Sequence, residues 1–158
     1  MINKQEWRTM QKSIDKIYYA AIYLRLSKED GDLSSGEKKE SNSIANQRKL
    51  IEDYLSRNPE ITLVQEFCDD GYTGANFDRP DFQRMMEQVK TGKINCIIVK
   101  DLSRFGRDYI DSGRYIEKIF PSLGIRFIAI NDNYDSAQSQ QAGNEIILPF
   151  KNLINDSY

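Results

Sequence analysis

The chain of 158 residues contains no histidine. Serine–histidine and cysteine–histidine nucleophile pairs are therefore excluded, as is any metal site built on imidazole. Its cysteines, Cys68 and Cys96, both fall inside apolar, strand-like runs. Two thiols cannot assemble a four-cysteine zinc site, and they read as reduced core residues. No run approaches the roughly 18 consecutive apolar residues of a membrane span, and the N-terminus lacks a signal-peptide core, so a cytoplasmic location is the expectation. An excess of positive charge is missing too. Lys and Arg number 22 against 24 Asp and Glu, a net charge of −2, which argues against a stand-alone nucleic-acid-binding module. Neither a Cys-x5-Arg nor a Gly-x4-Gly-Lys-Ser/Thr phosphate loop occurs. The chemistry left open uses Ser, Asp, Glu, Lys and Arg.

What is present suits one domain, with 39% hydrophobic and 29% charged residues. Residues 1–16 are polar and read as an N-terminal extension. From there strands alternate with helices. Tyr18 to Leu26 is an apolar strand, and Glu29 to Glu40 a Gly-, Ser- and charge-rich mobile loop. Ser43 can cap a helix to about Arg57, with Ile44, Leu50, Ile51, Tyr54 and Leu55 on one face. Ile61 to Cys68 is a second strand. Pro80 suits a helix first turn, followed by Phe82, Met85, Met86 and Val89 at helical spacing before Gly92. Cys96 to Val99 is a short buried strand. Ile110, Ile116, Ile119, Phe120 and Leu123 mark a third helix closed by Gly124, and Arg126 to Ile130 is the fourth strand. Asn144 to Leu153 begins another helical stretch.

This alternation predicts a three-layer α/β/α domain with a mainly parallel sheet of four to five strands. Ligands of such sheets lie beyond the carboxyl ends of the strands. The strands there deliver Arg25 and Ser27, then Asp69, Asp70 and Arg79, then Lys100, Asp101, Arg104 and Arg107, and finally Asn131 and Asp132. All four groups are expected on one rim.

Three segments carry the chemistry. In Tyr23-Leu24-Arg25-Leu26-Ser27, alternate residues of a strand share a face, so Tyr23, Arg25 and Ser27 line up. An arginine in a buried strand needs a partner, and a structural carboxylate is the plain alternative to a ligand. In Asp69-Asp70-Gly71-Tyr72-Thr73-Gly74, followed by Asp78-Arg79-Pro80, Arg79 stands just before a helix N-terminus. There it could join free amides around a phosphate or belong to an ordinary connection. In Lys100-Asp101-Leu102-Ser103-Arg104-Phe105-Gly106-Arg107-Asp108, Arg104 and Arg107 share a face if the segment is helical; a solvated charged turn is the alternative. Arginine forks match phosphate oxygens and stay charged. A hydroxyl among such arginines is a site for serine attack on a phosphate ester.

The order Tyr-x-Arg-x-Ser, Asp-x-Gly-x-x-Gly with Arg-Pro, then Lys-Asp-x-Ser-Arg-x-x-Arg-Asp resembles the resolvase/invertase family of serine site-specific recombinases over about residues 18 to 158. The insertion at Glu29 to Glu40 and the Lys-Asp-Leu-Ser-Arg wording look more like the large serine recombinases, including transposases of clostridial mobile elements. The resemblance implies that Ser27 attacks a DNA phosphate, forms a 5′-phosphoseryl link and allows religation without ATP. It implies no cofactor and no metal. Arg25, Arg104 and Arg107 match phosphate-clamping arginines, Arg79 a loop arginine, Gln47 a polar and Asp69 an acidic active-site residue. Tyr23 is counted with this catalytic group, and Lys100, Ser43 and Ser103 with the DNA- or phosphate-contacting residues. Ser103 departs from the small resolvases, which carry aspartate there. Asp69, Asp70, Asp101 and Lys100 stay open as proton carriers.

The resemblance further implies residues 17–142 as the catalytic domain and residues 143–158 as the start of a long oligomerisation helix whose DNA-binding domains lie beyond. Its expected partner is double-stranded DNA at recombination sites, bound as a homodimer per site and a homotetramer in the synaptic complex. Two other readings are a phosphatase-like enzyme on a similar sheet and a non-catalytic, DNA-associated assembly module.

Overall fold

The computed structural model describes residues 1–14, 16–26, 36–70, 79–106 and 108–138. Helix α1 (Lys4–Ile14) precedes β1 (Tyr18–Leu26), α2 (Gly36–Ser56), β2 (Ile61–Asp70), α3 (Pro80–Lys90), β3 (Cys96–Val99) and α4 (Leu102–Phe105). Then follow α5 (Tyr109–Arg114), a π-helical turn (Tyr115–Ile119), α6 (Phe120–Ser122), β4 (Arg126–Ala129) and β5 (Tyr134–Asp135). The strands form one five-stranded sheet in the order β2-β1-β3-β4-β5. All neighbours are parallel except β4 and β5.

β1 lies inside the sheet, and its period of two sorts the core into layers. Ala21 and Tyr23 join Phe82, Met85, Met86 and Val89 of α3, Phe105 of α4, Ile116 and Phe120. Ala20, Ile22, Leu24 and Leu26 face the other way, against Ile44 and Ile51 of α2. The observed sheet thus has helices on both faces, as the alternating pattern predicts. Val64 of β2 has no partner opposite it, because Ala20 pairs with Leu63 and Ala21 with Gln65. This bulge sets the register that brings Arg25 opposite Asp69.

Several boundaries differ from the sequence reading. α2 starts at Gly36, so Ser43 sits inside the helix and is not its cap, and the charged segment read as a loop is helical from Gly36 onward. The extension contains α1, whose described residues through Met10 are all exposed. β2 runs to Asp70 and β4 ends at Ala129. Ile110 is 73% exposed and Leu123 44%, so neither belongs to the buried face expected of the third helix. That helix also changes pitch. The Phe120 amide reaches back five residues to the Tyr115 carbonyl, and Pro121 offers no amide with which to continue the α ladder. Gly124, at φ +70°, supplies the left-handed residue that closes it. Residues 139–158, including the start of the expected long helix, lie outside the described residues.

Candidate active site

Arg25, next to last in β1, is 1% exposed. Its Nε donates to the Arg104 carbonyl at 3.2 Å and its Nη2 to the Ser103 carbonyl at 2.7 Å. These carbonyls belong to the last turn of α4, where helix geometry leaves acceptors open and the dipole is negative. A buried guanidinium is tolerated there because its donors are met. Arg104 returns the contact, its Nη1 donating to the Arg25 carbonyl at 3.3 Å. Gln47 of α2, fully buried, accepts from the Arg25 amide at 3.3 Å and donates to the Arg25 carbonyl at 3.1 Å. Its Nε2 also lies 3.4 Å from the Ser43 hydroxyl one turn earlier.

Arg79 is 0% exposed and donates from Nη2 to the Phe105 carbonyl at 2.7 Å, again at the end of α4. Its guanidinium lies 5.3 Å from the Tyr23 ring centre and 5.4 Å from that of Phe82. Burial lowers its pKa, with Tyr23 and Asp69 acting against that shift. Burial likewise drives the Tyr23 phenol far above its usual range, so at neutral pH it is a proton donor. It donates to Asp69 Oδ2 at 2.7 Å. The same carboxylate accepts from the Asp81 and Phe82 amides, both at 3.0 Å. Asp81 in turn accepts from the Cys68 amide at 2.9 Å. Two carboxylates thus cross between the end of β2 and the start of α3. The amides expected to be available for a phosphate beside Arg79 are taken by Asp69.

α4 is held from below by two further carboxylates. Asp101 caps it, accepting from the Arg104 amide at 2.9 Å and the Ser103 hydroxyl at 2.6 Å. Asp132, beyond β4, accepts from the Leu102 amide at 2.7 Å. Desolvation raises the Asp132 carboxyl above the usual aspartate value, opposed by that bond. The Asn131 amide donates to the Lys100 carbonyl at 2.8 Å, closing the ends of β3 and β4 together.

Among the described residues, the strand ends gather the side chains that the strand-end rule places there. Tyr23, Arg25, Gln47, Asp69, Arg79, Ser103 and Arg104 form one connected group, with Ser43 beside Gln47 and the backbone of Lys100 at its border. Ser27, Arg107 and the segment 71–78 lie outside the described residues. The sequence reading missed Asp81, whose signal was an acidic residue in the first turn after Pro80. It also missed that Ser103, Arg104 and Phe105 act through backbone carbonyls, which no side-chain pattern can reveal. Among the described residues no cluster of three or more acidic or thiol side chains could hold a metal ion.

The chain matches the family model described as "Resolvase, N terminal domain" over residues 20–155. No curated protein matches it. Among solved structures it is similar to the N-terminal catalytic domain of TP901-1 integrase, with a TM-score of 0.65 and 22% identity, covering 88% of this chain and 93% of that one. A resolvase family site-specific recombinase from Streptococcus pneumoniae gives TM-score 0.65 and 24% identity over 89% of this chain and 87% of that one. The C-terminal catalytic domain of ISC1926 TnpA, an IS607-like serine recombinase, gives 0.56 and 20% over 71% and 70%. At these identities the structures speak for the fold. The family match spans most of the chain and every described element of the rim. The chain belongs to the resolvase N-terminal domain family and is the catalytic domain of a site-specific serine recombinase, an enzyme that cleaves and rejoins DNA.

Proposed function

We propose that Ser27 is the nucleophile of this recombinase. Its hydroxyl oxygen bonds to the scissile phosphorus as the bond to the 3′ oxygen breaks. The serine proton goes to a nearby base or water, and the leaving 3′ oxygen takes one up. The product is a 5′-phosphoseryl link and a free 3′-hydroxyl, and reversal on a new 3′ end rejoins the strand. Because one ester replaces another, no ATP and no other cofactor enter the balance.

The single observation that carries this reading is the convergence of Arg25, Arg79 and Arg104 on the end of α4, directly beside the strand end that leads into Ser27. Three cations gathered at one buried rim suit an anion that spreads charge over several oxygens. α4 ends at Phe105 and Gly106 is extended, so the shared helix face expected of Arg104 and Arg107 does not form; Arg107, three residues after Arg104 in sequence, is assigned to the same clamp. Two of these guanidiniums already donate to α4 carbonyls, so a phosphate that reaches them takes the place of a helix C-terminus. Tyr23 and Asp69 support this group by holding Arg79 and the start of α3. Lys100, Ser43 and Ser103 border the path of the DNA. A homodimer on each recombination site and a homotetramer in the synaptic complex complete the proposal, as do membership of the large recombinase subgroup and a cytoplasmic, nucleoid-associated location.

The test uses the recombinase and end-labelled DNA carrying its recombination site, quenched in denaturant. Label should remain on protein at the 5′ side of the break, disappear in Ser27→Ala and persist in Ser103→Ala. Label surviving Ser27→Ala would reject Ser27. DNA binding without any covalent species in the unmodified protein would instead favour the assembly-module reading.

A further inference from the structure

Gln47 carries an inference that deepens the assignment of Ser27 and rests on it. The side chain has the polarity of an active-site residue, yet it is 0% exposed and both ends of its amide are occupied by one residue's backbone. The acceptor oxygen takes the Arg25 amide, and the amide nitrogen donates to the Arg25 carbonyl. That is the two-point pairing a neighbouring strand would offer, made here by a helix side chain. The Arg25 carbonyl also receives Arg104 Nη1 at 3.3 Å, so Gln47 and Arg104 meet on one oxygen.

We propose that Gln47 is a positioning residue which fixes the backbone of Arg25, and with it the departure of the chain toward Ser27 two residues later, without touching DNA. The geometry has a direct consequence. β1 ends at Leu26, which pairs with Asp70 of β2 alone, so Gln47 clamps the strand one residue before its end, beyond the last pairing with β3 at Ile22. Gln47 supplies that clamp from α2 and Arg104 from α4, opposite layers of the domain, and Arg25 spends its own guanidinium holding α4. A small error in this clamp displaces nucleophile and arginines relative to one another. Misplacement by about 1 Å can cost roughly 10²-fold in rate.

Gln47→Glu separates positioning from contact. A carboxylate can still accept from the Arg25 amide but sets a negative oxygen against the Arg25 carbonyl. The protonated acid restores a donor at that place, and burial favours the protonated form. Cleavage of recombination-site DNA by the Gln47→Glu recombinase should fall by about 10²-fold at pH 8 relative to the unmodified protein. The ratio should recover as the pH is lowered toward about 5, with DNA affinity unchanged throughout. A ratio independent of pH, or a loss of DNA affinity with bound DNA cleaved at the normal rate, would overturn the proposal. If Gln47→Glu fails to fold, judged by circular dichroism at each pH, Gln47→Met decides instead. It should lose cleavage at every pH while binding DNA normally, and reduced binding with normal cleavage would reject positioning. Ser27→Ala assayed in parallel keeps the two claims apart, because a covalent complex in that variant rejects the nucleophile whatever Gln47 does.

Discussion

Cys96 has no exposed surface, and burial pushes its thiol up to about 12. The folded thiol therefore binds its proton more tightly than the unfolded one, whose value is about 8.5. Its contribution to stability is complete below that value and is lost as the pH rises from there toward about 12. Urea unfolding at pH 8 and pH 10 should show a larger drop for the unmodified chain than for Cys96→Val; equal drops would mean the thiol reaches water. The same burial predicts that Cys96 reacts with thiol reagents only after unfolding, more slowly than the partly buried Cys68. A different residue tests ion pairing. Arg126 grips Asp135 through bonds of 3.0 and 2.6 Å, with side-chain exposures of only 11% and 8%. Arg126→Met keeps the apolar stem but strands the carboxylate, and should cost about 3–5 kcal/mol in urea. A cost under about 1 kcal/mol would mean solvent reaches Asp135.

At the scale of elements, the junction of β2 and α3 makes the sharpest prediction. Asp69 meets Tyr23 and two α3 amides, so Asp69→Ala removes the helix cap and leaves two buried donors and one partly buried donor unmet. A loss of at least about 2 kcal/mol is expected. Asp69→Ala at full stability but without cleavage would make Asp69 a proton carrier and not a cap. How much of this was legible depended on which signal each element used. β1, β3 and α3 were readable because apolar period and Pro80 marked them. α2 was read from Ser43 because only its second half carries apolar spacing; its start, Gly36 to Asn42, is polar and charged. α1 holds Trp7, Met10 and Ile14 at helical spacing, yet its polar composition hid them. The arginines and the rim followed from strand order. Their partners did not, since Arg25, Arg79 and Arg104 all bond to backbone carbonyls and leave no mark in residue types. The missed β5 is two residues long and pairs by its place beside β4, with no periodicity of its own.

On the scale of the whole molecule, no described side chain of α1 belongs to either core cluster of the three layers. Trp7 is 54% exposed and Met10 49%, while the core clusters start at Ala20 and Ala21, with Tyr18 packed against one of them. A helix of 11 residues whose described side chains, through Met10, are all exposed draws much of its stability from local terms, which are marginal at that length. Here those terms are Asn3, which accepts from the Gln5 and Glu6 amides, and Glu6, which accepts from the Asn3 amide. Deleting residues 1–14 should therefore change the free energy of unfolding by no more than about 0.5 kcal/mol. Trp7 is the chain's single tryptophan, so its emission reports α1 and not the sheet. In the native protein that emission should already be solvent-like and open to acrylamide quenching. It should pass through the urea transition almost unchanged while circular dichroism records the collapse of the layers. A blue-shifted, protected tryptophan that moves together with the circular dichroism would show α1 docked on the body through Trp7 and Met10. The deletion would then lower the midpoint, because apolar area returned to water costs about 25 cal/mol per Å².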